Sequence, residues 1–338
     1  MLAADPATAQ SPRPPIAATP PMEARSAPAL PDGPGWWFEP KWDGFRCLAF
    51  RDGGDVRLTA KSGKPLARYF PEVAALLAGL PAERFLLDGE LLIPADGGFS
   101  FDALQMRLHP AESRIRKLAR ETPASLALFD LLLTPSGEDL RSRPLRARRQ
   151  ALEAFHRQFR NDRLPLTPGT ENRALAQGWL DEGLIEGVVA KRLDGPYLGG
   201  ERAMVKVKRL RTADCVVGGF RYGQGSPLVG SLLLGLYDGA GLLHHVGFTS
   251  AIPAADKPAL TRRLEALRGG PGFTGDAPGG PSRWSTERST EWVPLRPELV
   301  VEVAFDHVSA GRFRHGAKLV RFRPDKAPAQ CGCDQLKS

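Results

Sequence analysis

The run Phe85–Ile93, FLLDGELLI, limits the folds open to this chain more than any other stretch. It reads as a strand, apolar except at its centre. Period-two alternation puts Asp88 and Glu90 on the same face. Two acids facing together in an apolar strand are costly unless a cation or a hydrogen-bond donor meets them. The stretch therefore predicts a sheet with charge partners on one face, or else an exposed sheet edge.

The densest group of reactive side chains lies upstream, in FEPKWDGFR, Phe38–Arg46. Lys41 follows Glu39 by two residues and precedes Asp43-Gly44, with Arg46 five residues on. A lysine is a nucleophile only when neutral, and with a reference pKa near 10.4 only about one in a thousand is neutral near pH 7.5. Closing three pK units takes about 4 kcal/mol from desolvation or nearby cations. Burial among Phe38, Trp42 and Phe45, together with a bound metal, would supply it. Alone, the stretch also fits a surface lysine beside a turn.

The 338 residues suffice for two ordinary domains, and 42% hydrophobic with 25% charged residues suits a globular protein. A net charge of +8 favours a polyanionic partner such as nucleic acid. Cysteines 47, 215, 331 and 333 form no C-x-x-C pair, so no zinc site or disulfide framework is indicated. No apolar run is long enough for a membrane span, and the first thirty residues lack the apolar core of a signal peptide. A reducing cytoplasm is the expected setting, associated with the nucleoid if the partner is DNA.

Residues 1–30, rich in Ala and Pro, read as a disordered tail. Strand 45–50, a turn at 52–54 and strand 56–59 form a hairpin. Helices are predicted over 70–80, 145–160 and 174–182, the last closed by Gly183. Leu126–Leu133 is a buried strand. Arg107, Arg114, Arg116, Lys117 and Arg120 form either a DNA-facing surface or a solvated helix face. In LIEGVVAKR, Leu184–Arg192, alternation places Glu186, Val188 and Ala190 on one face and Lys191 on the other. Lys206 and Lys208 share a face of strand 205–208, a repulsive pair unless an anion lies between them. Beyond a polar hinge at 209–214, short glycine-rich strands over 215–220, 230–237, 242–248 and 299–305, one helix over 254–267 and a loop over 269–282 suit a small Greek-key barrel.

The spelling K-x-D-G-x-R at Lys41–Arg46 resembles the nucleophile motif of covalent nucleotidyltransferases, the family of DNA ligases, RNA ligases and mRNA-capping enzymes. Companion motifs follow in family order to residue 326: Asp88-Gly89-Glu90, Phe129-Asp130, E-G-V-V-x-K from Glu186, Lys206-x-Lys208, and R-x-R-x-D-K from Arg321. One position departs. Where ligases carry Ser-Arg-x-Gly, this chain has Ala60-Lys61-Ser62-Gly63, which keeps the charge but loses the bidentate fork. No glycine-rich Walker loop is present, so phosphates fall to lysines and arginines. The chain is most similar to compact bacterial ATP-dependent DNA ligases of the ligase C kind. That resemblance implies an α+β fold, with a nucleotidyltransferase (adenylation) domain over 31–210 and an oligonucleotide-binding (OB) β-barrel over 211–338.

It also implies a chemistry. Lys41 attacks the α-phosphate of ATP, AMP passes to the 5′-phosphate of a nick in duplex DNA, and the 3′-hydroxyl displaces AMP. Lys41, Asp43, Lys208 and Asp325 are implied as catalytic. Glu39 reads adenine, Phe129 stacks on it, and Arg46 and Glu90 hold the ribose. Lys61 contacts phosphate or ribose, and Lys206, Lys208, Arg321, Arg323 and Lys326 contact the nucleotide's phosphates, with a DNA-backbone strip as the alternative reading of the arginine-rich segment that ends at Lys326. Glu90 and Glu186 bind a divalent ion, Mg or Mn. The barrel swings about the 209–214 hinge. The expected partner is nicked double-stranded DNA, with no membrane and with room for a DNA-repair protein such as an end-binding protein. A monomer is expected, since no oligomerisation seam is visible. An RNA ligase or capping-type guanylyltransferase is the alternative enzyme, and a non-catalytic DNA-binding module the alternative outside enzymes.

Overall fold

The computed structural model of the chain describes residues 14–95, 98–182, 185–279 and 291–336. The expected helix stop at Gly183 and the first thirteen residues lie outside them, as does loop 269–282 from residue 280 onward. The chain divides into two units, Met1–Lys208 and Arg209–Ser338.

The first unit runs β1 (Ala24–Ser26), β2 (Trp36–Lys41), β3 (Phe45–Asp52), β4 (Asp55–Ala60), α1 (Pro71–Ala78), β5 (Arg84–Leu92), the short hairpin β6 (Pro94–Ala95) and β7 (Gly98–Phe99), α2 (Phe101–Arg107), α3 (Glu112–Glu121), β8 (Ser125–Leu133), α4 (Leu145–Gln158), α5 (Arg173–Glu182), β9 (Gly187–Arg192) and β10 (Met204–Lys208). Its strands form two four-stranded sheets, ordered β1-β10-β9-β2 and β4-β3-β5-β8. All pairings in them are antiparallel except β1 on β10.

Alternation along these strands builds the layers. Cys47, Ala49, Leu87 and Leu91 face α1 and α4, where Val73, Leu77, Leu152 and Phe155 close a core. Phe38, Val188, Ala190, Val205 and Val207 face α5, against Ala176 and Leu180. The remaining faces enclose a layer that is apolar at one end, where Leu48, Phe50, Leu86 and Leu132 meet Met22 and Met204. Its other end carries the charges.

The expected disordered tail is corrected for residues 14–30. Met22 and Leu30 are buried, and Ala24–Ser26 pair with Met204–Lys206. The Pro/Ala composition hides three anchors in this segment: an apolar side chain for the inter-sheet core, another for the α5 layer, and backbone for a sheet edge. Arg107 is corrected too. It is fully buried, donating to Glu72, Tyr69 O and Thr122 O, whereas Arg114, Arg116, Lys117 and Arg120 are exposed.

The second unit contains β11 (Arg211–Tyr222), β12 (Val229–Tyr237), β13 (Leu243–Thr249), α6 (Lys257–Glu265), β14 (Val293–Pro294), β15 (Val300–Phe305), β16 (Val308–Ser309), β17 (Arg312–Phe313) and β18 (Lys318–Phe322). Its main sheet is ordered β13-β12-β11-β15-β18, with β14 also on β11. The α+β class is as expected; the described pairings trace an open path and do not themselves close a barrel. Gly218, at a register shift of β11, lets the Phe273 ring approach; a Cβ there would lie 2.7 Å from it. The expected hinge is narrower than 209–214, because β11 already begins at Arg211.

His245 in β13 is 7% exposed. Its Nδ1 meets Arg312 Nη2, and its Nε2 is a buried atom with no hydrogen-bond partner among the described residues. Burial, with Arg312 and Arg221 adding to it, pushes the imidazole from 6.5 down to about 3. The unfolded chain takes up a proton near pH 6.5 that the folded unit refuses until about pH 3, so stability falls as pH drops through that window. We expect this group to cost the folded state about 1–2 kcal/mol between pH 7 and pH 5. Denaturant titrations at each pH should show a shallower loss in His245→Gln; an equally steep loss would refute the assignment.

Candidate active site

The charged end of the inter-sheet layer opens into a cavity of about 950 Å³, the size of a small-molecule site. From one sheet come Glu39, Lys41, Lys191 and Lys206; from the other, Arg46, Glu90 and Phe129. Lys61, just past β4, and Met22 and Glu23, beside β1, complete the rim. Of the candidate site residues read from the sequence, Glu39, Lys41, Arg46, Lys61, Glu90, Phe129 and Lys206 line this cavity, whereas Glu186 and Lys208 are not among its lining residues.

Lys41 ends β2, where Trp37, Glu39 and Lys41 alternate with Phe38 and Pro40. Phe38 therefore points into the α5 core, and the expected burial of Lys41 by Phe38 is corrected. The Lys41 ammonium contacts Glu186 Oε2 instead, while Lys208 holds Oε1 at 3.0 Å. Although burial works against it, these lysines draw the Glu186 carboxyl below its ordinary range. Glu186 was expected to share a face with Val188 and Ala190. It precedes β9, which starts at Gly187, so strand alternation does not govern it. Gly187 is paired with both Lys41 and Lys208. A Cβ there would lie 2.3 Å from Val207 O, so the absence of a side chain brings the three strands together beneath Glu186.

Glu39 is 2% exposed and its carboxylate is fixed from two sides. Trp37 Nε1 donates to Oε1 at 2.9 Å, Lys191 Nζ lies 2.6 Å from Oε2, and Arg149 Nη1 is 3.7 Å from Oε1. Lys191 also stands 4.6 Å from the centre of the Phe129 ring, with the Arg46 guanidinium 4.5 Å from that ring. The sequence did signal Lys191, a cation on the non-apolar face of a strand, but that pattern named no partner for it.

Arg46 answers the carboxylate problem of β5. Its Nε and Nη2 donate to Asp88 at 2.5 and 2.6 Å, and Nη2 also reaches Met22 O at 3.3 Å. Tyr197 OH donates to Asp88 Oδ2 at 2.6 Å and accepts from Met22 N at 2.9 Å. Glu90, opposite Arg46 across the β3–β5 ladder, faces the cavity. Burial raises its carboxyl to about 7 despite Arg46 and Lys41, with Asp88 and Glu186 pushing the same way as burial. Glu90 and Glu186 each offer carboxylate oxygens, the hard donors that suit a divalent ion such as Mg or Mn. Lys61 forms a 2.9 Å ion pair with Glu23. Burial, aided by Lys41 and Lys208, lowers Lys206. Asp43 lies in the β2–β3 loop and is not among the cavity-lining residues.

Arg321, Arg323, Asp325 and Lys326 belong to the second unit. There Arg321 Nε meets Glu302 at 2.6 Å, Arg323 Nη1 meets Asp214 at 2.8 Å, and Lys326 Nζ lies 3.4 Å from Asp214.

Comparison with known proteins gives the family. The family model for the ATP dependent DNA ligase domain matches residues 21–208, and that for the ATP dependent DNA ligase C terminal region matches 225–326. The chain is 45% identical to DNA ligase C1 of Mycolicibacterium smegmatis over 94% of its own length and 93% of the relative's. It is 43% identical to DNA ligase C of Mycobacterium tuberculosis, with the same coverage. The fold also matches a Lig E DNA ligase, with a TM-score of 0.55 at 17% identity over 89% of this chain and all of the other. The chain belongs to the ATP-dependent DNA ligases, of the bacterial ligase C type. The RNA-ligase and guanylyltransferase alternatives are not favoured. No described helix is long and apolar enough to cross a membrane.

Lys191→Met would leave Glu39 a buried carboxylate with its nearest cation removed. We expect ATP affinity to fall about tenfold or more, tenfold being about 1.4 kcal/mol, with a smaller fall in Lys191→Arg. Titrating ATP against intrinsic tryptophan fluorescence measures both.

Proposed function

We propose that this ligase seals 5′-phosphate/3′-hydroxyl nicks in duplex DNA through a Lys41–AMP intermediate. The observation that carries the reading is the convergence of Lys41, Glu39 and Glu90 on one nucleotide-sized cavity, with Phe129 as its aromatic wall. Neutral Lys41 Nζ attacks the α-phosphorus of ATP. The Nζ–P bond forms, the bond to the bridging oxygen breaks, and pyrophosphate leaves. The 5′-phosphate oxygen of the nick then displaces Lys41 and takes the AMP. Finally the 3′-hydroxyl attacks that 5′-phosphorus, losing its proton as AMP departs.

Each step is phosphoryl transfer, dominated by positioning and charge neutralisation. Glu186 orients Lys41 Nζ. Glu39, held as an acceptor by Trp37 and Lys191, suits the amino group of adenine and not the carbonyl of guanine. Phe129 offers its face to the base. Arg46 lines the ribose position while bound to Asp88, and Glu90 offers its carboxyl to the ribose or to a metal. Lys61, Lys206 and Lys208 take phosphate charge. A divalent ion, Mg or Mn, would be held by Glu90 and Glu186 and would neutralise charge on the transferring phosphate. Asp43 supports the nucleophile loop. Arg321, Arg323, Asp325 and Lys326 act from the second unit on the leaving phosphates. We further assign a role in DNA repair, with a repair protein such as an end-binding protein as a compatible partner, a monomeric state, and a nucleoid-associated location.

Incubation with α-labelled ATP and a divalent salt, followed by denaturing electrophoresis, tests this. Wild type should carry label that nicked DNA discharges; Lys41→Ala should carry none. Label retained by Lys41→Ala, or labelling by GTP in place of ATP, would reject the assignment.

A further inference from the structure

The strand register of the second unit sets two acids side by side. Asp214 on β11 is directly opposite Glu302 on β15, and Glu302 is directly opposite Arg321 on β18. Facing like charges destabilise a sheet unless cations lie over them. Here the cations come from Arg321–Lys326. Arg323 donates through Nε and Nη2 to Asp325 at 3.0 and 2.8 Å and through Nη1 to Asp214 at 2.8 Å. Glu302 Oε2 lies 3.8 Å from the same Nη1. Lys326 reaches the other Asp214 oxygen at 3.4 Å, and Arg321 closes on Glu302 at 2.6 Å. Three carboxylates thus meet three cations, and three of the five N–H donors of Arg323 are already committed.

Asp214 is well placed for this and for little else. Its backbone is clamped by Gln335, whose side chain accepts from Asp214 N at 2.9 Å and donates to Asp214 O at 3.1 Å. Its side chain is only 12% exposed. The carboxylate is held still while the arginine that meets it follows the last strand of the sheet.

We propose that Asp214 and Glu302 are positioning residues: a neutralising seat that holds Arg323 and Lys326 on their own sheet, and from which the polyphosphate of ATP must draw them before they can act. The inference rests on the assignment of Arg323 and Lys326 to the leaving phosphates. While Asp214 holds Arg323 Nη1 and Lys326 Nζ, those groups are turned to a carboxylate on their own sheet, so the seat competes with phosphate for them. The seat lowers the affinity of the adenylation step for ATP, and it shields the cations from other polyanions.

The test is single-turnover formation of labelled enzyme against ATP concentration, in full-length wild type, Asp214→Asn, Glu302→Gln and Arg323→Ala. Asp214→Asn and Glu302→Gln should each lower the half-saturating ATP concentration, by about threefold for a partly exposed ion pair, with little change in the rate at saturation. The gain should vanish in Asp214→Asn/Arg323→Ala. A merely structural residue would give a loss, not tighter saturation. If Arg323→Ala labels like wild type, the assignment of Arg323 itself fails. If Arg323→Ala is impaired while both carboxylate variants saturate at the wild-type concentration or higher, the seat is refuted. Should Asp214→Asn lose its cooperative unfolding transition, Glu302→Gln decides.

Discussion

The bidentate bond between Arg46 and Asp88 is what lets β5 carry a wholly buried acid at its centre. Asp88 is wholly buried, between Leu87 and Gly89 in β5 and with Leu48 and Asp130 opposite it, and such a carboxylate survives only with a matched partner. Removing one member of a buried pair typically costs about 3–5 kcal/mol. Arg46 then does more than neutralise. It lies against Phe129 and fixes the Met22 carbonyl, while Tyr197 fixes the Met22 amide from the other side. Five stretches distant in sequence, around residues 22, 46, 88, 129 and 197, are thereby tied together at the floor of the inter-sheet cavity.

Above that floor the sheets divide the work by residue type. One presents an acceptor and lysines, Glu39 with Lys41, Lys191 and Lys206. The other presents a guanidinium, an aromatic face and the perturbed carboxyl of Glu90. Most of the intervening positions along these strands are apolar and pack against helices. A cavity lined this way is held open by two cores behind it, so its charges are preorganised and need not be rearranged when phosphate arrives.

Much of this was legible in the sequence. The strands, the helices, the acids of β5 and the order of the motifs all follow from period, turn residues and spelling. What escaped has physical reasons. Glu186 was placed on the wrong face because alternation was applied one residue ahead of the strand that enforces it. Residues 14–30 looked like a tail because their contribution is backbone pairing and isolated apolar anchors, which composition does not reveal. Arg107 counted as surface charge because its partners, Glu72 and two carbonyls, lie in other elements. Lys191 stood on the correct face, but its role depends on Glu39, some 150 residues earlier, and only tertiary pairing shows it.

The way the cavity is stitched has a consequence for how the protein is born. Lys41 meets Glu186 across 145 residues, and Met22 meets Tyr197 across 175. The β3–β4 hairpin and the helices beside it can form early from local contacts. The sheet that carries Lys41 cannot, because its central strands are the last of the unit to leave the ribosome. Long-range pairings of this kind fold late. A nascent or truncated chain therefore exposes Lys41 without the glutamate that meets it in the folded unit, and the charged cavity comes into being only when the unit is essentially whole.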